Sequence, residues 1–264
     1  MSGAVAAGSE ATVEAGLRAL RQGGNAVDAA IASTLMAGVA EPLLSGLGGS
    51  GIATVRFGDT TRVCDFFADM PGVAERSAPD APMDSVSIDF GPTTQSFLVG
   101  PGSASVPGLP GGMWALHEQY GTLPMEALAG PQCNACGVPL GPAIAAATTG
   151  VTVTPGFERV LELLWPIVAR TPGMRALFSM DGSRLKLGDT FRCPALAETL
   201  HGFAIGGPDY FRGGPGAQAF MAELGDNSRI TAEDFLAQQP VFRDAIPAHY
   251  RGAVLWVPGP PSAA

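Results

Sequence analysis

Basic residues are scarce in this sequence, and nowhere do they gather. Fifteen Lys and Arg stand against 24 Asp and Glu in 264 residues, a formal net charge of −9. Nucleic acid and anionic membrane surfaces both require a concentrated basic patch, so neither is expected as a partner. Long apolar runs are missing too: no stretch of 18 uninterrupted apolar residues occurs, so no membrane-spanning helix is expected. The opening MSGAVAAGSEATVEAG has neither a basic n-region nor a bulky apolar h-region. It does not read as a signal peptide, which leaves a cytoplasmic location as the default expectation.

Histidine is limited to three residues, none at metal-ligand spacing, and cysteine to four: Cys64, Cys133, Cys136 and Cys193. Cys133 and Cys136 form a C-x-x-C pair, but a structural zinc site needs a second pair, and Cys64 and Cys193 are isolated. A thioredoxin-type motif needs a strand before it and a helix starting at it. Here the pair sits in a Gly/Pro-rich loop, so thiols without function are expected. Neither a metal nor a cofactor is expected.

Hydrophobic residues make up 46% of the chain and charged ones only 15%, while Gly (36) and Pro (23) are spread without a period. Collagen-like and low-complexity readings fail on that spacing. The composition suits a substantial core and a chain that buries much of its surface, another subunit being one way to do so.

Punctuation and periodicity set out the elements. Ser9 or Thr12 caps a helix over 9–22, with Val13, Leu17 and Leu20 on one face and Gly23-Gly24 as its stop. An Ala-rich second helix over 25–39 is expected to be buried and closely packed. Glu41-Pro42 ends it, ahead of a glycine loop over 44–51. Residues 52–57 and 61–66 form a hairpin around Gly58-Asp59. Residues 71–94 read as loop, 95–99 as a strand and 109–120 as a helix stopped by Gly121. Further helices are expected over 155–169, 194–204, 216–224 and 231–238, the last with Thr231 and Asp234 at capping-box spacing, and a last strand over 253–257. Helices plus hairpins, without strict β-α-β alternation, favour an α+β layered fold over a doubly wound one.

Several motifs are tempting and fail on context. Gly46 to Gly51 satisfies G-x-G-x-x-G, but a helix precedes it and a strand follows, the reverse of a dinucleotide site. A turn where side chains would not fit is the better reading. Ser45 and the pairs Thr60-Thr61, Thr93-Thr94 and Thr148-Thr149 lie in no G-x-S-x-G context and have no His or Lys base at a telling position. His117 and His201 fall in helices as solvated or capping residues. Asp28, in an Ala-rich helix, needs donors if buried and is expected to tie that helix to the glycine corner.

An ordered set of segments carries a resemblance. Leu20 to Ala30 (LRQGGNAVDAA), Glu41-Pro42 with the Gly46–Gly51 loop, Val106-Pro107-Gly108, and Gly112 to Pro124 (GMWALHEQYGTLP) come first. Gly141 to Ile144 (GPAI), Pro194 to Leu200 (PALAETL), Ile230 to Phe235 (ITAEDF), Tyr250-Arg251-Gly252 and Pro258 to Ser262 (PGPPS) follow. In this order the set resembles the large subunit of the gamma-glutamyltranspeptidase family over almost the whole chain. The resemblance implies an N-terminal-nucleophile hydrolase fold, a four-layer αββα sandwich incomplete in this chain. Residues 1–264 then read as part of one large-subunit domain.

The resemblance also implies chemistry. In the family, self-cleavage frees an N-terminal Thr on a small subunit. Its hydroxyl attacks a gamma-glutamyl amide, with its own amine available as base. The partners implied are a small-molecule amide substrate and the small subunit or remaining C-terminal part. Family members are often periplasmic or extracellular. The family's Thr comes beyond its PPPSSGG segment, and this sequence stops at Ala264 within the matching stretch, so no catalytic residue is expected in it. Thr93-Thr94 lies too early in the order to stand in.

The second departure concerns substrate. The family holds the substrate carboxylate with the Arg of DFRETAP. The matching stretch here is Asp65 to Pro71 (DFFADMP), with Phe67 at the Arg position. Losing a charge-assisted fork removes the carboxylate's natural partner, whereas Phe suits an apolar acyl group. Asp69 would repel a carboxylate in the same pocket. An extra loop around Cys133 also interrupts the pattern. The expectation is a large-subunit part of an amide hydrolase or acyltransferase with a non-glutamyl acyl preference, like the family's cephalosporin-acylase members. A non-catalytic fragment acting as a binding or assembly module is the alternative. A nicotinamide or redox protein would rest on the misplaced glycine motif and the C-x-x-C alone.

Overall fold

The computed structural model describes residues 3–73, 81–130 and 141–260. Cys133 and Cys136, and the end of the PGPPS segment, lie outside the described residues. Helix α1 (Glu10–Arg21) starts where the Ser9 hydroxyl accepts from Thr12 N, with Glu10 in its first turn and Arg18 and Arg21 in its last. Gly23, at φ +90°, turns the chain into α2 (Ala26–Ala40), capped by a reciprocal box between Asn25 and Asp28. Buried residues run all round α2, as its Ala-rich composition predicts.

The hairpin of β1 (Gly51–Phe57) and β2 (Thr60–Phe66) closes with Phe57 opposite Thr60. Gly58 takes φ +60° at the first loop position, a value a side chain there would resist. Strands β3 (Asp84–Asp89) and β4 (Thr94–Val99) make a second hairpin. The expected loop over 71–94 is therefore wrong from Asp84 on: Val86 and Ile88 alternate with polar neighbours, a period too short to read without the partner strand. Helix α3 (Leu109–Tyr120) has the expected bounds. Helices α4 (Met125–Ala129) and α5 (Pro142–Thr149) follow, neither foreseen.

Next come β5 (Val151–Thr152), α6 (Pro155–Val168), α7 (Pro172–Leu177), and the two-residue strands β6 (Ser179–Met180), β7 (Ser183–Arg184) and β8 (Thr190–Phe191). Helices α8 (Pro194–Gly206), α9 (Pro215–Leu224) and α10 (Ala232–Ala237) precede β9 (Val241–Asp244), β10 (Ile246–Tyr250) and β11 (Ala253–Val257).

Strand β9 returns from far along the chain to pair antiparallel with β2, opposing Arg243 to Val63 and Val241 to Asp65. The resulting sheet has the order β1-β2-β9. Its Cys64 and Phe66 face meets the main core, built on Ile31, Leu35 and Val39 of α2, Met113 and Leu116 of α3, and Phe203 of α8. Each such side chain contributes about 1.5–3 kcal/mol by leaving water. A second core stacks Phe178 on Phe191 at 5.1 Å, with Phe157 edge-on to both. A third joins Val106, Ala217, Ile230 and Phe235.

Candidate functional site

The DFFADMP stretch runs from the end of β2 into a segment reaching Val73, and three glycine-bearing motifs converge on its second residue. Phe66 is buried, and a Cβ on Gly51 would lie 2.7 Å from its ring. A Cβ on Gly112 would fall closer still to that ring, and one on Gly108 would collide with the Phe66 carbonyl. The glycine loop, the VPG turn and the start of α3 are thus glycine-bearing where Phe66 must fit. Gly49 O accepts from Gly108 N (3.1 Å) and Leu109 N (3.0 Å), satisfying amides at the start of α3 that have no partner in the helix. The turn reading of Gly46–Gly51 holds at Gly49 and Gly51, whereas Gly46 and Gly48 have room for a side chain.

With Phe66 fixed inward, alternation along β2 sends Asp65 to the opposite face, and Phe67 follows just past the end of the strand. Asp65 Oδ1 accepts from Phe67 N (3.1 Å), and its Oδ2 lies 3.3 Å from Arg243 Nη2. Phe67 is 50% exposed, so it is not a core residue. Downstream, Asp69 and Val106 exchange backbone hydrogen bonds of 3.3 and 2.9 Å. Asp234 Oδ1 then accepts from Gly72 N and Val73 N, both at 2.9 Å. Its Oδ2 accepts from Thr231 N (2.8 Å) and Thr231 Oγ1 (2.9 Å). Burial pushes the Asp234 carboxyl up, but the amides of Val73, Gly72 and Thr231 and the Thr231 hydroxyl outweigh it and hold the pKa below the ordinary value.

Of these residues, sequence reasoning singled out Phe67, Asp69 and the glycine loop. It missed Arg243, whose place beside Asp65 depends on strand pairing across the chain. It read Asp234 as a cap partner only, which accounts for one of its two oxygens. The site lies on an open surface. A cavity of about 710 Å³ lies instead between residues 3–8 and the α1–α2 pair, against Asn25, Ser33 and Glu41.

Three of the hydroxyls and histidines singled out in the sequence have local duties. Thr148 and Thr149 bond back to the carbonyls of Ile144 and Ala145, and His117 Nε2 meets Leu123 O at 2.7 Å. Among the described residues, no group of three or more His, Cys, Asp or Glu could hold a metal ion. No helix there is long and apolar enough to cross a membrane. The arrangement is a pinned backbone segment carrying exposed Phe67, Asp69 and Met70.

Known proteins supply the frame. The family model described as Gamma-glutamyltranspeptidase matches residues 12–264. "Glutathione hydrolase 3" of Arabidopsis thaliana is 30% identical over 99% of this chain and 38% of its own length. "Acylase ACY 1 proenzyme" of Pseudomonas sp. (strain SE83) is 30% identical over 94% of this chain and 43% of its own. Among solved structures, the gamma-glutamyltranspeptidase from Pseudomonas nitroreducens, complexed with L-DON, superposes with a TM-score of 0.80 at 26% identity, covering 98% of this chain and 72% of that one. The chain thus spans about two fifths of the length of these curated relatives. The fold is the α+β fold of the N-terminal-nucleophile hydrolases. On the family match and the ordered motifs that meet at Phe66, the chain belongs to the gamma-glutamyltranspeptidase family.

Proposed function

We propose that these 264 residues form the large-subunit part of an amide hydrolase or acyltransferase, with Phe67 facing the acyl group of the substrate. The nucleophile is then supplied by polypeptide outside these residues. One observation carries the reading: Phe67 is half-exposed and held by Asp65 at the position where the family motif has its carboxylate-binding Arg. An aromatic ring there offers apolar area and no fork for a carboxylate. Exposed Asp69, two residues on, adds repulsion against an anionic acyl group. The preference that follows is for apolar or uncharged acyl groups over gamma-glutamyl, in keeping with the acylase among the relatives.

The test is Phe67→Arg in the complete enzyme, with kcat/KM measured on a gamma-glutamyl anilide and on an apolar acyl anilide. The ratio is expected to move toward gamma-glutamyl by about tenfold or more, the value of a charge-assisted hydrogen bond. Because the position is half-exposed, the melting temperature should hold. A well-folded variant with unchanged preference removes Phe67 from the site. The 264-residue polypeptide alone is expected to turn over neither anilide; turnover above background would place a nucleophile within it.

A further inference from the structure

Asp234 makes two kinds of contact, and only one belongs to its helix. It stands at the third position of α10 and is 2% exposed. Closing the capping box with Thr231 occupies Oδ2 alone. Helix capping gives no reason for Oδ1 to face Gly72 and Val73, more than 160 positions earlier in the chain. An ionised carboxylate accepts only, with about four lone-pair positions, and here four donors fill them without a cation. Such bonds to a charged, buried acceptor are stronger than neutral ones.

The remaining contacts make one body of the anchors. Phe235, beside Asp234, packs in the cluster that contains Val106. Val106 is also the backbone partner of Asp69. The segment that leaves Phe67 therefore lies on this body at two points, Asp69 on Val106 and Gly72-Val73 on Asp234. Gly72 takes φ +138°, so the chain can turn both amides onto one oxygen.

We propose that Asp234 is a positioning residue for the acyl site: its Oδ1 fixes the course of residues 67–73 and hence the placement of the Phe67 side chain. The proposal rests on the reading that this segment lines the acyl site. Asp234 touches no reacting atom; it acts through Gly72 and Val73.

Thr231 supplies the control. Thr231→Val removes the cap hydroxyl from Oδ2 and leaves Oδ1 with its two amides. Asp234→Asn replaces one carboxylate oxygen by a donor, so the four donors can no longer all be met. Both variants weaken the start of α10, but only Asp234→Asn loosens the segment.

Amide hydrogen exchange is read first, on the 264-residue chain. Asp234→Asn should speed exchange at Gly72 and Val73 about tenfold or more, while Thr231→Val leaves these two amides near wild type. In the complete enzyme, Asp234→Asn should raise KM for the acyl donor about fivefold or more with kcat changed less than twofold, and Thr231→Val should not. Unchanged exchange at Gly72 and Val73 overturns the proposal, as does faster exchange without a change in KM. An equal rise in KM in both variants overturns it too, because a lost cap would then suffice. If Asp234→Asn does not fold, the unaltered chain decides: Gly72 and Val73 protected as strongly as Phe235 supports the proposal, and exchange at the unprotected rate overturns it. Phe67→Ala is run alongside. If it leaves acyl preference unchanged, the reading of the acyl site fails, while the exchange result still shows whether Asp234 holds the segment.

Discussion

Cys64 and Asp65 are adjacent on β2 and face opposite sides of the sheet, and the pleat alone gives them opposite chemistry. Cys64 is fully buried, and burial, with the Asp65 charge beside it, pushes its thiol up to about 12. The thiolate is the reactive form, so Cys64 should resist alkylation by iodoacetamide at pH 8, whereas the partly exposed Cys193 should react. Peptide mapping of the labelled native chain reads this directly; equal labelling at the two positions would mean that β2 opens readily. The same shift has a sign in stability. In the folded state the thiol keeps its proton up to about pH 12, while the unfolded chain loses it near pH 9. Above pH 9 the unfolded state binds fewer protons, so stability should fall with rising pH through that window. Asp234 works the other way: its lowered pKa gives stability that is present above the ordinary carboxylate value and is lost as pH falls through the folded one. Neither residue stood out in the sequence as titrating abnormally, because the burial that raises the Cys64 thiol and the Gly72 and Val73 amides that help lower the Asp234 carboxyl come from residues distant in the chain.

Helix α2 is the element most completely legible beforehand, and its carboxylate shows where such reading stops. Asn25, the Ala-rich run and Glu41-Pro42 mark its ends, and a need of Asp28 for donors follows from burial alone. The donors are another matter. Asp28 is fully buried and accepts from Asn25 N (2.8 Å), Thr122 N (3.0 Å), Thr122 Oγ1 (2.5 Å) and Leu123 N (3.3 Å). The tie therefore runs chiefly to the turn after α3, and Asn25 Nδ2 reinforces it by donating to Tyr120 O. The GNAVDAA and YGTLP segments are thus two halves of one knot, a contact that the order of motifs did not reveal. Asp28→Ala would leave several buried donors without a partner and should cost about 3 kcal/mol or more, with Thr122→Val costing about 1 kcal/mol. Denaturant unfolding of both variants checks this, and an Asp28→Ala variant as stable as the parent would remove the knot from the account. The elements missed in the sequence are mostly short. Helices α4 and α7 have five and six residues, and β5 to β8 two each, too few for a period to register.

Stability is unevenly spread over the whole molecule, and the β10–β11 hairpin marks its weak end. Its register sets Ile246 against Val257 and Ala248 against Leu255 on one face, and Pro247 against Trp256 and His249 against Val254 on the other. Both faces therefore carry apolar side chains, and Ile246, Tyr250, Val254, Leu255 and Trp256 are all exposed. Among the described residues the two strands pair only with each other. A lone two-stranded ribbon is marginal in water, since it has no third strand or helix to bury a face. Its unpaired edges and apolar surface also invite contact with another chain. Two outcomes are expected of the 264-residue polypeptide. Amides of β10 and β11 should exchange far faster than those of α2, since opening the ribbon exposes little that is not already wet. The polypeptide should also associate as its concentration rises, and Val254→Lys with Leu255→Lys should suppress this by placing one charge on each face. Light scattering against concentration separates the cases. A parent chain that stays monomeric, with β10–β11 amides protected as strongly as those of α2, would show the ribbon to be stable unaided and remove the reason to expect association there.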